Sequence, residues 1–341
     1  MLKERTEEMD EWIQEIYFRF FIRSPVSVRI IDTSRDNADL RNTLIVTSSK
    51  GEKHVLKIVS NDFTFPTKIR MWQRTVDEYL NLGYYCPRIL ADKQGDFPEI
   101  SYRDHECVVY AEEFSKYRSL EDITACMEKG LDEVYNRYLK DIWSMTAKIA
   151  GKKLDYTDYP SAYCLFETFC PSDKTDEVLE NALKWKALAE SVPDVFSDQV
   201  KRIWRLWYEN REKLKELYRR LPTSVFQADL NSTNLLVDEE GNFRGVLDFN
   251  LAGKDVFLNY LMRENDSDTI PEALKISCEY YFFSEEEKEA ALPLYRCLKP
   301  LWWSSVKALK DAGNDKDAIE RCLNDAEACL TKETDFRQYM E

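Results

Sequence analysis

Residues 224–250, SVFQADLNSTNLLVDEEGNFRGVLDFN, form a β-prone island in a chain that otherwise reads as helical after residue 112. Before that point strands dominate. Residues 4–22 place Met9, Trp12, Ile13, Ile16, Tyr17 and Phe20 at three- and four-residue spacing, which predicts an amphipathic helix. VSVRIID (26–32), TLIVTS (43–48) and HVLKIVS (54–60) predict three antiparallel strands, the last two joined through SKGEK. Helical spacing returns over 66–82, and two more strands are expected at 98–102 and 106–110. Helical patterns then cover 119–152, 175–190 and 196–220, and resume from 271 to 331. A strand-rich first third and a helical remainder around one β island predict an α+β fold in two parts, 1–112 and 113–341.

Composition narrows the functions open to such a chain. Its 341 residues suit two lobes sharing a cleft. A net charge of −15 disfavours nucleic acid and anionic membranes as partners. Nine scattered cysteines without a CxxC pair, and only 2 histidines, argue against a zinc site and for thiols kept reduced in the cytoplasm. The N-terminus, MLKERTEEMDEW, has no apolar secretion segment, and no run is long enough to span a bilayer.

The island carries the chemistry. Asp229 and Asn234 stand in an Asp-x-x-x-x-Asn arrangement, and a short hairpin turning at Glu239–Gly241 leads on to Leu247-Asp248-Phe249. Phosphoryl transfer asks for a carboxylate to meet the acceptor's hydroxyl proton and for hard oxygen ligands to hold magnesium. Asp229 suits the first role, Asn234 and Asp248 the second. Taken singly, each could be a solvated turn residue; their placement between apolar strands is what gives the set meaning.

The segments Phe226-Gln227-Ala228-Asp229-Leu230-Asn231-Ser232-Thr233-Asn234 and Val246-Leu247-Asp248-Phe249 resemble the aminoglycoside phosphotransferase and choline kinase superfamily, relatives of the protein kinases. The resemblance implies a two-lobed protein-kinase-like fold, with an antiparallel-sheet N-lobe and a mainly helical C-lobe. It also implies an ATP- and Mg2+-dependent kinase acting on a small hydroxylated molecule, an aminoglycoside-like or other cationic acceptor among the candidates. Two alternatives stand beside it: a nucleotide-binding pseudokinase or regulatory module, and a non-catalytic helical interaction protein. The family histidine is Gln227 here, and a later family aspartate is Asn259.

Further site residues follow from the same resemblance. Val55-Leu56-Lys57-Ile58 is similar to the strand whose lysine pairs the α- and β-phosphates, and Asn42 falls after the glycine-free stretch 32–42 that would cover them. Glu78 is the nearest helix acid to orient Lys57, with Gln73 an alternative position. VVYAEEF (108–114) reads as a strand entering the hinge, so backbone groups from Glu112 to Phe114 are expected at adenine. Val55, Leu236 and Leu247 would supply apolar walls; ordinary core packing explains them equally well. Trp204, Trp207, Trp302 and Trp303 read mainly as core residues, one of them a candidate for a substrate pocket. The acidic run Glu285–Glu287 reads most simply as a helix N-terminus.

Overall fold

A computed structural model describes every residue except 1, 2, 8–10, 36–38 and 126–130, and only the backbone of 3–7 and 132. The chain divides into two compact units, each assembled from separate stretches of sequence. The first comprises Met1–Tyr138, Cys170–Ser172 and Asp229–Ala252; the second holds Leu139–Phe169, Asp173–Ala228 and Gly253–Glu341.

The first unit opens with β1 (Lys3–Glu7), α1 (Glu11–Phe20), β2 (Pro25–Asp32), β3 (Leu40–Ser48), β4 (Lys53–Ser60) and α2 (Pro66–Asn81). There follow β5 (Ile89–Leu90), β6 (Glu99–Tyr102), β7 (His105–Glu113), β8 (Arg118–Ser119), α3 (Leu120–Thr124) and α4 (Leu131–Tyr135). Its main sheet runs β1-β2-β3-β4-β7-β5, with β6 also on β7, all antiparallel. Ile13, Ile16 and Tyr17 of α1 pack against Val28, Ile30, Leu44, Leu56 and Ile58. Arg103 and Asp104, with φ of 51° and 64°, form the two-residue turn that joins β6 to β7.

The helix expected from residue 4 starts only at Glu11. The apolar spacing that suggested it runs from Met9, whereas Lys3–Glu7 pairs with β2 in an unbroken register from Lys3↔Asp32 to Glu7↔Val28. Met9 lies outside the described residues. The helical pattern at 119–152 is likewise not one helix. It resolves into β8, α3, α4 and α5 (Leu139–Gly151), with 126–130 outside the described residues.

The second unit continues with α6 (Glu177–Ala189), α7 (Ser197–Tyr218) and β9 (Thr223–Phe226). The chain then contributes β10 (Leu235–Val237) and β11 (Phe243–Val246) to the first unit before β12 (Gly253–Val256). The final helices of the second unit are α8 (Phe257–Glu264), α9 (Ile270–Ser277), α10 (Glu285–Leu298), α11 (Trp303–Ala312) and α12 (Lys316–Thr331). Its core includes an aromatic cluster in which Phe257 meets Phe226, Tyr260, Tyr281 and Phe283. Ser284 and Glu287 close a reciprocal capping box at the start of α10, so the acidic run at 285–287 is indeed a helix N-terminus. None of the described helices is long and apolar enough to cross a membrane.

Tertiary pairing divides the β island. β9 pairs with β12 in the second unit, while β10 pairs with β11 and β8 in the first. The predicted hairpin is therefore β10–β11, turning at Gly241, whose φ is +81°.

Candidate active site

Every residue proposed for phosphoryl transfer chemistry lies in the first unit, so their geometry can be followed within one compact body. Lys57 sits on β4, flanked by β3 and β7, directly opposite Thr43 and Tyr110. Its ammonium lies 3.2 Å from Glu112 and 3.2 Å from Asp248, with only 16% of the side chain exposed. Burial alone would favour neutral lysine. The carboxylates of Asp248 and Glu112, aided by Tyr110, outweigh it and push the Lys57 pKa well above the ordinary value. Burial, reinforced by Asp248, raises Glu112 despite the opposing pull of Lys57. Two acids thus crowd one lysine, an arrangement suited to a cation that must exchange partners.

The loop after β9 holds Asp229 on both sides. Asn231 donates from Nδ2 to Asp229 Oδ1 at 3.0 Å. Asn234 donates to the other carboxylate oxygen at 3.1 Å and to the Asp229 backbone oxygen at 2.8 Å. Thr233 anchors Asn231 in turn, its backbone N–H and its hydroxyl both donating to Oδ1. With their NH2 ends turned to Asp229, both amides direct their oxygens elsewhere. Leu247 N donates to Asn234 O at 3.0 Å, which ties the strand leading to Asp248 to the loop. Asp248 itself adopts φ 60° and ψ 70°, a left-handed conformation that aspartate tolerates better than most residues and that clusters at functional sites.

Where the loop's flanking residues belong to the second unit, they are tied down there. Arg263 Nη2 donates at 2.6 Å to the carbonyl of Ala228, the residue preceding Asp229. Asp255 is buried and accepts from Ser161 Oγ at 2.6 Å, Tyr218 OH at 3.0 Å and Asn259 Nδ2 at 3.2 Å. Asn259 also donates to Tyr163 O at 3.0 Å. An aspartate at 259 would set a second carboxylate against Asp255, so the departure from the family pattern has a local reason: the amide supplies donors. Gln227 is fully buried.

Lys57, Asp229, Asn234 and Asp248 are therefore brought into one connected network, and two expectations change. Lys57 is oriented by Glu112 on the neighbouring strand, not by Glu78 on α2; Gln73 donates instead to Ile89 O at 2.9 Å. Glu112 contributes its side chain, because its backbone lies inside the ladder between β4 and β5 and is not open to adenine. Phe114 follows the strand and is 39% exposed, with Lys53 over its ring. Asn42, opposite Ile58 on β3, lines the same cavity as Lys57, Thr43 and Asp248, although strand alternation puts its side chain on the face of Leu44.

The side chain of Asn42 is 2% exposed, and neither amide atom has a hydrogen-bond partner. An unsatisfied buried polar group costs about 1–3 kcal/mol. Asn42→Leu is therefore expected to raise stability by about 1 kcal/mol. Thermal unfolding checks this, and an unchanged or lower midpoint would show that the amide is satisfied in solution.

A cavity of about 250 Å3 opens beside Lys57, lined also by Arg41, Thr33, Asn61, Tyr110 and Asp248. Val55, Leu236 and Leu247 are not among its lining residues; Leu236 is fully buried in β10. Strand pairing, illegible in the sequence, is what adds Arg41 and the Glu112 side chain. Two cations and several neutral donors suit phosphate oxygens. Asp248 with Asn234 would supply a carboxylate and an amide oxygen to magnesium, an ion that keeps several waters and takes few protein ligands. Among the described residues no group of three or more His, Cys, Asp or Glu side chains forms a metal cage.

Comparison with known proteins identifies the fold and the family. No curated protein matches the chain in sequence. In structure, it is similar to a microcompartment-associated aminopropanol kinase at 14% identity and a TM-score of 0.54, covering 93% of this chain and 94% of the other. It is also similar to an amicoumacin kinase complexed with AMP-PNP and Ca2+, at 13% identity and a TM-score of 0.50, covering 97% of each chain. These likenesses establish the two-lobed protein-kinase-like α+β fold. The model of the phosphotransferase enzyme family matches residues 33–259, more than half of the sequence and the whole of the network around Asp229. The chain belongs to the phosphotransferase enzyme family.

Proposed function

We propose that this protein is an ATP-dependent kinase that moves the γ-phosphoryl group to a hydroxyl of a small cationic molecule. The observation that carries this reading is the linked pair of contacts Lys57–Asp248 and Asn234–Asp229, which sets phosphate-binding, metal-binding and proton-accepting groups in one network.

Asp229 accepts the proton of the acceptor hydroxyl, its carboxylate held in orientation by Asn231 and Asn234. Lys57 turns its charge toward the phosphates while Glu112 keeps it in place. Asp248 and Asn234 would hold magnesium, which when bound would neutralise phosphate charge during transfer. The amino alcohol in the name of the aminopropanol kinase and the AMP-PNP bound by the amicoumacin kinase support the acceptor class and the nucleotide. The reading places the protein in the cytoplasm, where its nine cysteines stay reduced.

The test is to incubate the protein with Mg-ATP and a panel of amino alcohols, amino sugars and neutral polyols, following ADP release. Acceptor-dependent turnover, greatest for amines and abolished by EDTA, is expected. Tight nucleotide binding without turnover on any acceptor would overturn this reading in favour of a non-transferring nucleotide-binding module.

A further inference from the structure

The cavity beside Lys57 belongs wholly to the first unit, and its second cation is Arg41. Strand register fixes where that cation sits. Thr43 lies opposite Lys57 and Arg41 opposite Val59, so Arg41 and Lys57 are diagonal neighbours on one face of the sheet. Such neighbours stand about 7–8 Å apart, within reach of long side chains. Burial raises the pKa of the Tyr110 hydroxyl, and the charges of Lys57 and Arg41 both pull against it, so both cations are felt at one cavity wall. The volume of about 250 Å3 lies below the roughly 300 Å3 at which whole-ligand sites begin, and suits one part of a ligand.

The surroundings of Arg41 hold its guanidinium in one orientation. Its backbone N–H donates to Ser34 Oγ at 2.9 Å, and its carbonyl accepts from Thr33 N at 2.9 Å. Asp39 grips one edge of the guanidinium, accepting from Nε at 2.6 Å and from Nη2 at 2.7 Å. Asn61 Nδ2 donates to Asp39 at 3.2 Å, and the guanidinium carbon lies 5.2 Å over the Phe63 ring. This bidentate pair uses two of the five N–H groups, and among the described residues nothing takes the others. Only 20% of the side chain is exposed, and it borders the cavity. Lys57, by contrast, already divides its charge between Glu112 and Asp248. Protein kinases cover the phosphates with a glycine-rich loop, whose backbone can approach a ligand closely. The stretch 32–42 has no glycine.

We propose that Arg41 binds the terminal phosphate of the nucleotide, its side-chain donors replacing the backbone donors of a glycine-rich loop. Asp39 and Phe63 hold the fork in place, and Nη1 offers both of its N–H groups to oxygens of one phosphate. The order of the phosphates rests on the kinase reading. Lys57 takes the inner ones, and a cation one diagonal step along the sheet meets the outer one. The affinity of the Arg41 fork for a phosphate does not depend on transfer to an acceptor.

Calorimetry on the full chain, at fixed salt, measures the affinity for Mg-AMP-PNP, Mg-ADP and adenosine in wild type, Arg41→Gln and Arg41→Lys. Arg41→Gln should weaken AMP-PNP about 10–100-fold, the worth of a hydrogen bond to a charged group, and ADP by less than about threefold, leaving adenosine unchanged. Arg41→Lys keeps the charge and loses the fork, so its affinity for AMP-PNP should fall between the two. A purely structural role would lower all three affinities together, along with the unfolding midpoint. Unchanged AMP-PNP affinity in the variants, equal losses for AMP-PNP and ADP, or no nucleotide bound by wild type would overturn the proposal. Should Arg41→Gln fail to fold, Arg41→Lys decides by the same comparison of AMP-PNP with ADP. Selective loss of AMP-PNP affinity, with no phosphoryl transfer by wild type to any acceptor, would sink the kinase reading and leave the Arg41 clamp standing.

Discussion

Asp229→Asn is expected to lower kcat by about 10^2–10^4-fold, the usual worth of a positioned general base, with little change in nucleotide affinity. The substitution keeps the size of the side chain and removes its capacity to take a proton. The present carboxylate accepts from Asn231 and Asn234, one donor to each oxygen. Asparagine offers a single oxygen, so one of these donors would face an NH2 group. That conflict costs about 1 kcal/mol, too little to unfold the chain. Asn234 would still reach the backbone carbonyl at 229, which preserves the loop. Lys57, Glu112 and Asp248 are untouched, so nucleotide binding should persist. Single-turnover ADP formation beside a nucleotide titration separates the two effects. A kcat within tenfold of wild type would remove Asp229 from the base role.

The second large effect concerns stability and is independent of function. Gly245 has φ +156°, and a Cβ built there would lie 1.9 Å from the backbone oxygen of Tyr85. Neither group can yield easily. Tyr85 N donates to Arg244 O at 2.8 Å and Val246 N donates to Tyr85 O at 3.1 Å, so β11 is laced to this segment on both sides of the glycine. Gly245→Ala should destabilise the protein by about 3–5 kcal/mol, in the range reserved for strain and broken networks. At about 2–4 °C per kcal/mol, the unfolding midpoint should fall by about 10 °C. Gly241→Ala is the control. Its φ is +81°, but the nearest atom to a new Cβ is the Tyr138 hydroxyl at 3.7 Å, so only the backbone penalty of about 1–2 kcal/mol applies. Equal midpoints for the two variants would show that the Tyr85 contact carries no strain.

Much of the architecture was legible because it depends on local periodicity. Strands β2 to β4 and helix α2 announce themselves through alternation and three-to-four-residue spacing, and the β10–β11 turn through its glycine. The family motif likewise marked Asp229, Asn234 and Asp248, since these residues lie within 20 positions of one another. Errors arose where partners are distant in sequence. Glu112 was read as a backbone contact because nothing local reveals that β7 lies beside β4, two residues out of step with Lys57. Glu78 was chosen by proximity along the chain, which says nothing of proximity in space. Asn42 matched a family position and lines the cavity beside Lys57, but the register of β3 against β4, which no local pattern shows, turns its side chain to the other face.

The β island at 224–250 shows both sides of this division. From its composition and the spacing of Asp229, Asn234 and Asp248, the sequence by itself determined that strands flank a polar loop bearing these three residues. Which strands pair was decided by tertiary contacts. β9 joins β12, β10 joins both β11 and β8, and the residues from Asp229 to Ala252 cluster with the N-terminal strands. The physical reason is that a strand's alternation records which face is buried, while its hydrogen-bonding edges are chemically alike in every strand. Only the packed chain chooses a neighbour for each edge, and with it the acid that holds Lys57.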